Sequence, residues 1–229
     1  MTLSSILHDM WDIFITYYLG QGLLWTGVGY TLMLSAIAVF FGTLIGSLLA
    51  IGKMSNIKIL KALITAFVEI MRGTPALLQL YIAYFIVPLI FSSFELTPIA
   101  CVAVGLSLNS AAYVSEIIRS GINAVDKGQS EAARALGLTS RTTMLKIVMP
   151  QAVRNILPAL GNEFITIIKE TSLASTFFVG ELMTTYATIK GITFNTVPTL
   201  MDIGIIYFIL TFSLSKLLGI LERRMKTDA

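Results

Sequence analysis

Residues 131–137 read Glu-Ala-Ala-Arg-Ala-Leu-Gly and have the local features of a short, complete helix. Ser130 can cap its N-terminus, and Glu131 falls in the first turn, where the helix dipole favours negative charge. Gly137 can adopt the left-handed conformation that often closes a helix. One side of the helix carries almost no side-chain bulk, since it is formed by Ala132, Ala133 and Ala135. The sequence therefore predicts a helix that another protein's surface could approach closely.

This predicted helix belongs to a polar, amphipathic stretch, residues 126–150, within an otherwise apolar chain. A second helix is predicted to start at Thr139 or Ser140, and Pro150 is predicted to end the stretch. The default interpretation of a charged stretch is a solvated loop between helices. Local helix signals alone leave both interpretations open.

The rest of the chain has the composition of a membrane protein. Of 229 residues, 55% are hydrophobic and 13% are charged, and the mean hydropathy is +0.82, whereas soluble domains carry about a quarter charged residues. No repeat or low-complexity tract divides the sequence, so residues 1–229 are predicted to form a single transmembrane domain. One cysteine and one histidine exclude an internal disulfide and the usual metal clusters. Because a phosphate-binding Gly-Lys-Ser/Thr loop is also missing, we expect no cofactor and no catalysis.

Five segments approach the roughly 20 apolar residues that a helix needs to cross a bilayer. They are predicted at residues 25–52, 62–91, 98–118, 153–174 and 198–221. Arg72-Gly73-Thr74-Pro75 interrupts the second, because proline removes a backbone donor and disfavours helix in the residue before it. This segment is predicted either as one broken helix or as two short ones.

The placement of lysine and arginine favours a single crossing by this second segment. With one crossing, the basic loops and tail share one side, which is the inside because cytoplasmic loops collect positive charge. The predicted fold is therefore all-α and integral to the membrane, with five transmembrane helices, the N-terminus outside and the C-terminus inside. Residues 126–150 then lie in the cytoplasm. Residues 175–196 form an outer-face excursion with a short helix around 181–188.

The fourth predicted span carries a polar stripe at helical spacing, formed by Asn162, Glu163, Thr166, Lys169 and Glu170. Ionisable side chains inside a membrane are costly, so the stripe must face protein or water rather than lipid. In a functional interpretation, Asn162 and Glu163 contact polar groups of a substrate, and Glu163 favours a cation. In a structural interpretation, the stripe pairs with a partner subunit or with Arg72 and Glu69.

The Gly73-Thr74-Pro75 break exposes backbone polar groups at membrane depth. Such backbone is tolerated only where it is buried in protein or lines a cavity. Arg72 and Thr74 are therefore candidate pathway residues.

Two further pairs have informative spacing. Glu116 and Arg119, three residues apart at the inner end of the third span, are expected to form an ion pair rather than a binding site. Gly42 and Gly46 have the small-xxx-small spacing of close helix contacts.

The spacing within residues 131–150 resembles the EAA loop of ATP-binding-cassette (ABC) importer permeases. The matching residues are Glu131, Ala132, Ala133, Gly137, Ile147 and Pro150. In that family the loop is the coupling helix, which sits in a groove of the cytoplasmic ATPase. Met149 stands where the family usually has leucine, a change that conserves volume. The resemblance implies that these residues couple the chain to an ATPase.

Other segments resemble one branch of the family, the permeases for polar amino acids such as histidine, glutamine, arginine and cystine. These segments are residues 69–75, 106–113, 161–164 and 169–173. The resemblance covers nearly the whole chain and implies the MetI-like fold of type I ABC importers, a multi-pass permease of the bacterial inner membrane. It further implies two ATPase subunits that bind ATP and magnesium, a second permease, identical or homologous, and an extracytoplasmic solute-binding protein. Nothing implies a nucleic acid.

The alternative is a self-sufficient secondary transporter, driven by an ion gradient through Glu163 or Glu116. It predicts an internal repeat, which five spans do not show, and it leaves residues 131–137 without a role. A purely structural scaffold conflicts with the polar stripe in the fourth span.

Overall fold

The computed structural model describes residues 2–93 and 95–227, and every regular element within them is helical. The α-helices are α1 (Leu3–Ile13), α2 (Leu23–Met54), α3 (Lys58–Gly73), α4 (Ala76–Ile90), α5 (Pro98–Asn123), α6 (Lys127–Ala135), α7 (Ser140–Thr143), α8 (Met149–Glu170), α9 (Leu182–Thr193) and α10 (Thr196–Thr227). Two π-helical segments, Phe14–Leu19 and Met144–Val148, extend α1 and join α7 to α8. A 3₁₀ segment, Thr171–Phe177, follows α8.

Three of the described helices, α2, α5 and α10, are long and apolar enough to cross a membrane. The helices α3 and α4 reach that standard only as a pair, and they meet at an angle of 114°. The described residues thus contain three such helices, or four if the bent pair is one span. The helix α8 covers most of the fourth predicted span, but its polar stripe lowers its hydropathy. Five crossings therefore remain a prediction.

The centre of the fold is the contact between α2 and α5. A Cβ on Gly42 would lie 2.7 Å from the Cβ of Ser110, and one on Gly46 would lie 2.8 Å from the carbonyl oxygen of Ala111. The close contact predicted from the spacing of the two glycines is therefore confirmed, with α5 as the partner helix. Around it, α2, α4, α5 and α8 bury a cluster that includes Leu34, Leu80, Val102, Leu106 and Ile167.

The structure corrects the boundaries of the fourth predicted span. Pro150 does not end the preceding stretch, because the helical path continues from α7 through the π-helical segment into α8. Pro150 lies in the first turn of α8, directly after the π-helical segment, so its missing backbone N–H interrupts the hydrogen-bond ladder at this junction without ending the helical path. At the other end, α8 stops at Glu170 rather than near residue 174, and the chain tightens into the 3₁₀ segment.

At the predicted outer face, α9 is longer than the expected helix around 181–188. It begins after Glu181, whose buried carboxylate accepts hydrogen bonds from the backbone N–H groups of Met183 at 2.5 Å and Thr184 at 2.7 Å. The hydroxyl of Tyr207 on α10 donates to the same carboxylate at 3.3 Å. These bonds fasten the α9 start to α10 at a point where the helix dipole favours negative charge.

Candidate functional site

The break between α3 and α4 is held together by one side chain, that of Gln79. Its amide nitrogen donates to the carbonyl oxygens of Met71 at 2.7 Å and Thr74 at 3.1 Å, and to the Thr74 hydroxyl at 2.9 Å. The last carbonyls of a helix have no partner within the helix, and in apolar surroundings they need donors from the protein itself. Gln79 therefore supplies the donors that the break needs, and the Thr74 hydroxyl donates back to Ile70 at 2.8 Å.

The helix α5 connects this break to the polar stripe of α8. The amide nitrogen of Asn109 donates to the side-chain oxygen of Gln79 at 2.8 Å. The hydroxyl of the next residue, Ser110, donates to the Glu163 carboxylate at 3.0 Å. All four side chains are buried. Sequence analysis missed Gln79, and the available signal was a single amide in an apolar run, four residues after Pro75.

The polar stripe of α8 has a buried edge and an exposed edge. Glu163 is 7% exposed and faces α5. Asn162 and Lys169 are exposed, while Thr166 and Glu170 are half-buried. Among the described residues, no ion pair joins Glu163 to Arg72 or Lys169. The Glu163 carboxylate instead accepts a hydrogen bond from the Ser110 hydroxyl.

Arg72 belongs to a different cluster, centred on Glu116. The Glu116 carboxylate lies 2.6 Å from the Lys53 ammonium, 2.8 Å from the Arg119 guanidinium and 3.9 Å from the Arg72 guanidinium. The pair predicted for Glu116 and Arg119 is therefore confirmed, and it extends to two other helices. Arg72 also lies over the ring of Tyr113, 5.8 Å from its centroid, a distance suited to a cation–π interaction.

A cavity of about 400 Å³ lies beside this cluster, between α3, α5 and α8. Its polar lining comes from Arg72, Tyr113, Glu116, Ser120 and Asn155. Arg72 keeps 42% of its side chain exposed, and it makes the longest of the contacts to Glu116. Because Arg72 lines the cavity and is only loosely held by Glu116, a carboxylate that enters the cavity can reach its guanidinium. Glu163 and Thr74 are not among the described residues that line this cavity.

The predicted short helix in the polar stretch exists as α6, with two corrections: its cap lies earlier in the chain, and Glu131 therefore lies beyond the first turn rather than in it. Ser130 lies inside the helix, and Asp126 is the cap, accepting a hydrogen bond from the backbone N–H of Gly128 at 2.6 Å. Aspartate and serine are equally good N-terminal caps, so Asp126 and Ser130 were both possible starts. The helix starts after the earlier of the two, Asp126. Gly137 has φ +81°, so the predicted left-handed closure is confirmed.

The alanines of α6 divide between two sides. Ala133 is buried and its carbonyl accepts a hydrogen bond from the Leu138 N–H at 3.1 Å, while Ala132 and Ala135 are exposed. Leu136, which sequence analysis did not select, is 82% exposed. The bare surface of α6 is therefore smaller than predicted and ends in an exposed leucine.

The two later residues of the predicted coupling stretch lie outside α6. Ile147 is half-buried in the π-helical segment, against which α6 packs, and Pro150 is exposed at the start of α8. The Thr139 hydroxyl caps α7 by accepting a hydrogen bond from the Thr142 N–H at 3.3 Å. The helix therefore starts at Ser140, which is one of the two starts predicted for it. Within the part of the chain that the structure describes, no three His, Cys, Asp or Glu side chains are grouped as a metal ion would need.

Comparisons with known proteins agree with this arrangement. Residues 42–227 match the family model described as "Binding-protein-dependent transport system inner membrane component". A putative glutamine transport system permease protein of Rickettsia bellii is 41% identical over 199 residues, which are 87% of this chain and 91% of that protein. An arginine transport system permease protein of Bacillus subtilis is 38% identical over 202 residues, 88% of this chain and 92% of that protein.

Solved structures show the same fold. A chain from the crystal structure of an amino acid ABC transporter with histidines superposes with a TM-score of 0.86 and 40% sequence identity, over 92% of this chain and 98% of that one. A chain of an inward-facing methionine ABC transporter superposes with a TM-score of 0.74 at 21% identity, over 89% and 96% of the two chains, which supports the MetI-like fold alone. The family match excludes the alternative of an ion-coupled secondary transporter. The chain belongs to the binding-protein-dependent transport system inner membrane components and is the permease subunit of an ABC importer.

Proposed function

We propose that this chain moves a polar or charged amino acid across the bacterial cytoplasmic membrane. It does so as one of two permease subunits, identical or homologous, with substrate delivered by an extracytoplasmic solute-binding protein. ATP and magnesium bind two cytoplasmic ATPase subunits, and this chain needs no cofactor of its own. Relatives named for glutamine, arginine and cystine transport support the amino-acid class.

The membrane arrangement in this proposal has five crossings, by α2, the bent pair α3–α4, α5, α8 and α10. The N-terminus lies outside, and the C-terminus and residues 126–150 lie inside. Support comes from the placement of lysine and arginine, which share one side only if the bent pair crosses once. The polar stripe lowers the hydropathy of α8 without making it too short, since 22 residues span about 33 Å as a helix.

Coupling to the ATPase is assigned to α6 and its surroundings, with Glu131, Ala132, Ala133, Gly137, Ile147 and Pro150 as the contributing residues. The small exposed side chain of Ala132 allows close approach, and Leu136 adds an apolar contact. The buried Ala133 and half-buried Ile147 act by seating α6 against the rest of the chain. Gly137 ends the helix so that Leu136 stays exposed.

The observation that carries the transport proposal is the exposed polar edge of α8. Asn162 and Lys169 point away from the packed interior of this chain on a helix that the proposal places in the membrane. Such side chains need polar neighbours, which only a second subunit or an aqueous pathway can supply. The proposed pathway is therefore completed by the second permease, with Thr166, Glu170 and the anchored Glu163 behind the exposed edge.

Arg72 and Thr74 contribute the inner part of the proposed pathway. Arg72 presents its guanidinium to the cavity beside Glu116, where it suits the α-carboxylate of an amino acid, because guanidinium and carboxylate form bidentate hydrogen bonds. Thr74 acts through Gln79, which sets the position of the break.

Uptake measured in proteoliposomes tests the proposal. The chain is co-expressed with candidate ABC ATPase subunits and purified as a complex. The complex is then given a solute-binding protein, ATP and radiolabelled amino acids. We expect ATP-dependent accumulation of a polar or charged amino acid and none without ATP. Accumulation driven by an ion gradient in the absence of the ATPase would contradict it, as would a complex that transports only sugars or peptides.

A further inference from the structure

A second cavity, of about 580 Å³, lies between α1, α2 and α10, away from the break and the polar stripe. Its volume falls in the range of about 300–1,000 Å³ that ligand sites occupy. The walls are formed by apolar side chains such as Phe14, Val28, Ile206 and Leu210. The polar side chains in the lining are Asp202 and Ser213, both on α10.

Asp202 is the feature of this cavity that calls for a ligand. The residue is 5% exposed, and its Oδ2 atom is buried without a hydrogen-bond partner among the described residues. A buried carboxylate without a partner is strongly disfavoured, the more so on a membrane helix. Because Asp202 lines the cavity, a donor or a cation inside the cavity is placed to satisfy it.

In the membrane arrangement proposed above, on which this inference rests, the cavity lies at the level where lipid headgroups meet acyl chains. Trp11 and Trp25, the two tryptophans of the sequence, both line it, and tryptophan gathers at membrane–water interfaces. Asp202 follows the start of α10 at Thr196 by about 9 Å along the helix, and Ser213 lies about 16 Å further in. The cavity thus has a carboxylate near the outer end of α10 and an apolar wall further in. A lipid has the same order, with its polar headgroup outside and its acyl chains inside.

The exposed surface of α1 supports a border with lipid in this region. Five exposed apolar residues recur at every fourth position of α1 and its π-helical extension: Leu3, Leu7, Trp11, Ile15 and Leu19. The neighbouring positions form a second exposed row, which is polar: Ser4, His8, Asp12 and Thr16. Adjacent apolar and polar rows are typical of a helix at a membrane surface. Leu7 and Trp11 belong both to the apolar row and to the cavity lining.

We propose that this cavity binds a membrane phospholipid whose headgroup carries a primary ammonium, as in phosphatidylethanolamine. One acyl chain lies along the apolar wall formed by Ile206 and Leu210. The ammonium donates a hydrogen bond to the Asp202 carboxylate and neutralises its charge. A choline headgroup has no N–H to donate, so the site selects phosphatidylethanolamine over phosphatidylcholine.

Tryptophan quenching by brominated lipids tests this selection, because bromine quenches only a tryptophan that it contacts. The full-length chain is reconstituted in vesicles in which a minor fraction of either phosphatidylethanolamine or phosphatidylcholine carries brominated chains. We expect severalfold stronger quenching per brominated phosphatidylethanolamine. Asp202→Asn removes the difference, and Glu95→Gln, an exposed acid outside the cavity, retains it. Equal quenching by both lipids in the unaltered chain, or an undiminished preference in Asp202→Asn, overturns the proposal.

An internal partner for Asp202 is the competing explanation. The Tyr18 hydroxyl is also buried without a hydrogen bond among the described residues, and Tyr18 packs in one cluster with Ile203 and Ile206 of α10. Under the proposal, phosphatidylethanolamine raises the thermal stability of the unaltered chain and of Tyr18→Phe, but not of Asp202→Asn. If Asp202→Asn and Tyr18→Phe lose stability equally in both lipids, the carboxylate pairs with Tyr18 and the proposal is wrong. If a variant fails to fold, native mass spectrometry of the unaltered chain still tests the site. The chain should retain phosphatidylethanolamine, and retention of phosphatidylcholine in its place would contradict the proposal.

Discussion

The amide nitrogen of Asn109 on α5 donates a hydrogen bond of 2.8 Å to the side-chain oxygen of Gln79 on α4. Through this bond, α5 holds the side chain that satisfies the carbonyls at the end of α3. The residue after Asn109, Ser110, holds Glu163 on α8. Two consecutive residues of α5 thus tie the break and the polar stripe to one helix, which itself packs on α2 through Gly42 and Gly46.

Replacing Gln79 by Leu should destabilise the chain by about 1–3 kcal/mol, because the carbonyls of Met71 and Thr74 and the Asn109 amide are left buried without partners. Uptake should fall with stability. Thermal unfolding in detergent and ATP-dependent uptake measure the two effects. Gln21→Leu, at an exposed turn position, is the matched control and should change neither. Unchanged stability in Gln79→Leu would show that the break does not depend on this amide.

Replacing Gly137 by Val should abolish transport and weaken association with the ATPase, while the chain still inserts in the membrane. The backbone at Gly137 has φ +81°, which a β-branched residue tolerates poorly, so the end of α6 should deform. Co-purification of the ATPase and uptake are the measurements. Gly137→Asn should retain much of both, because asparagine visits the left-handed region. Gly29→Val, at a helical glycine with open space around it, is the control. Normal uptake by Gly137→Val would remove the coupling assignment.

Single cysteines in a Cys101→Ala background test the five crossings. A cysteine at Asp9 should label from outside intact membranes, and one at Ala229, which lies outside the described residues, only from inside. A cysteine at Ser92, between α4 and α5, decides how the bent pair lies. It should label together with Asp9 if the pair crosses once. Labelling of Asp9 and Ala229 from the same side, with Ser92 on the other, would mean that α3 and α4 form a re-entrant loop or cross twice.

Replacing Glu163 by Gln removes the charge of the proposed pathway carboxylate and keeps its shape. If Glu163 meets substrate, uptake should fall at least tenfold while complex yield and basal ATP hydrolysis stay near normal. Ser110→Ala, which removes the described hydrogen bond but not the charge, should have a smaller effect on uptake. If the carboxylate instead pairs with a cation of the second permease, Glu163→Gln should lower the yield of assembled complex, because a buried cation loses its partner. Full uptake with full yield would contradict both roles.

Several parts of the fold and site could be predicted from local sequence. Pro75 locates the break between α3 and α4, because proline cannot donate in a helix. Gly137 marks the end of the polar-stretch helix, because glycine accepts positive φ without strain. The start of that helix was predicted wrongly at Ser130, since two capping residues four positions apart both satisfy the local rule. The packing of α1 against α10 was not predicted. A row of polar residues lies next to the apolar row of α1, so its sequence does not look like that of a helix packed in the membrane.

The sequence by itself determined that the chain is a helical membrane protein, where its second span breaks and where α6 ends, because hydropathy, proline and glycine act within a few residues. Only the tertiary structure decided which buried polar groups meet. Asn109 reaches Gln79 across 30 residues of sequence, and Ser110 reaches Glu163 across 53. The same holds for Arg72, which faces Glu116 on another helix rather than Glu163. A polar side chain inside an apolar run must find a partner, but the partner depends on how the helices pack, since each helix offers several positions at the same depth.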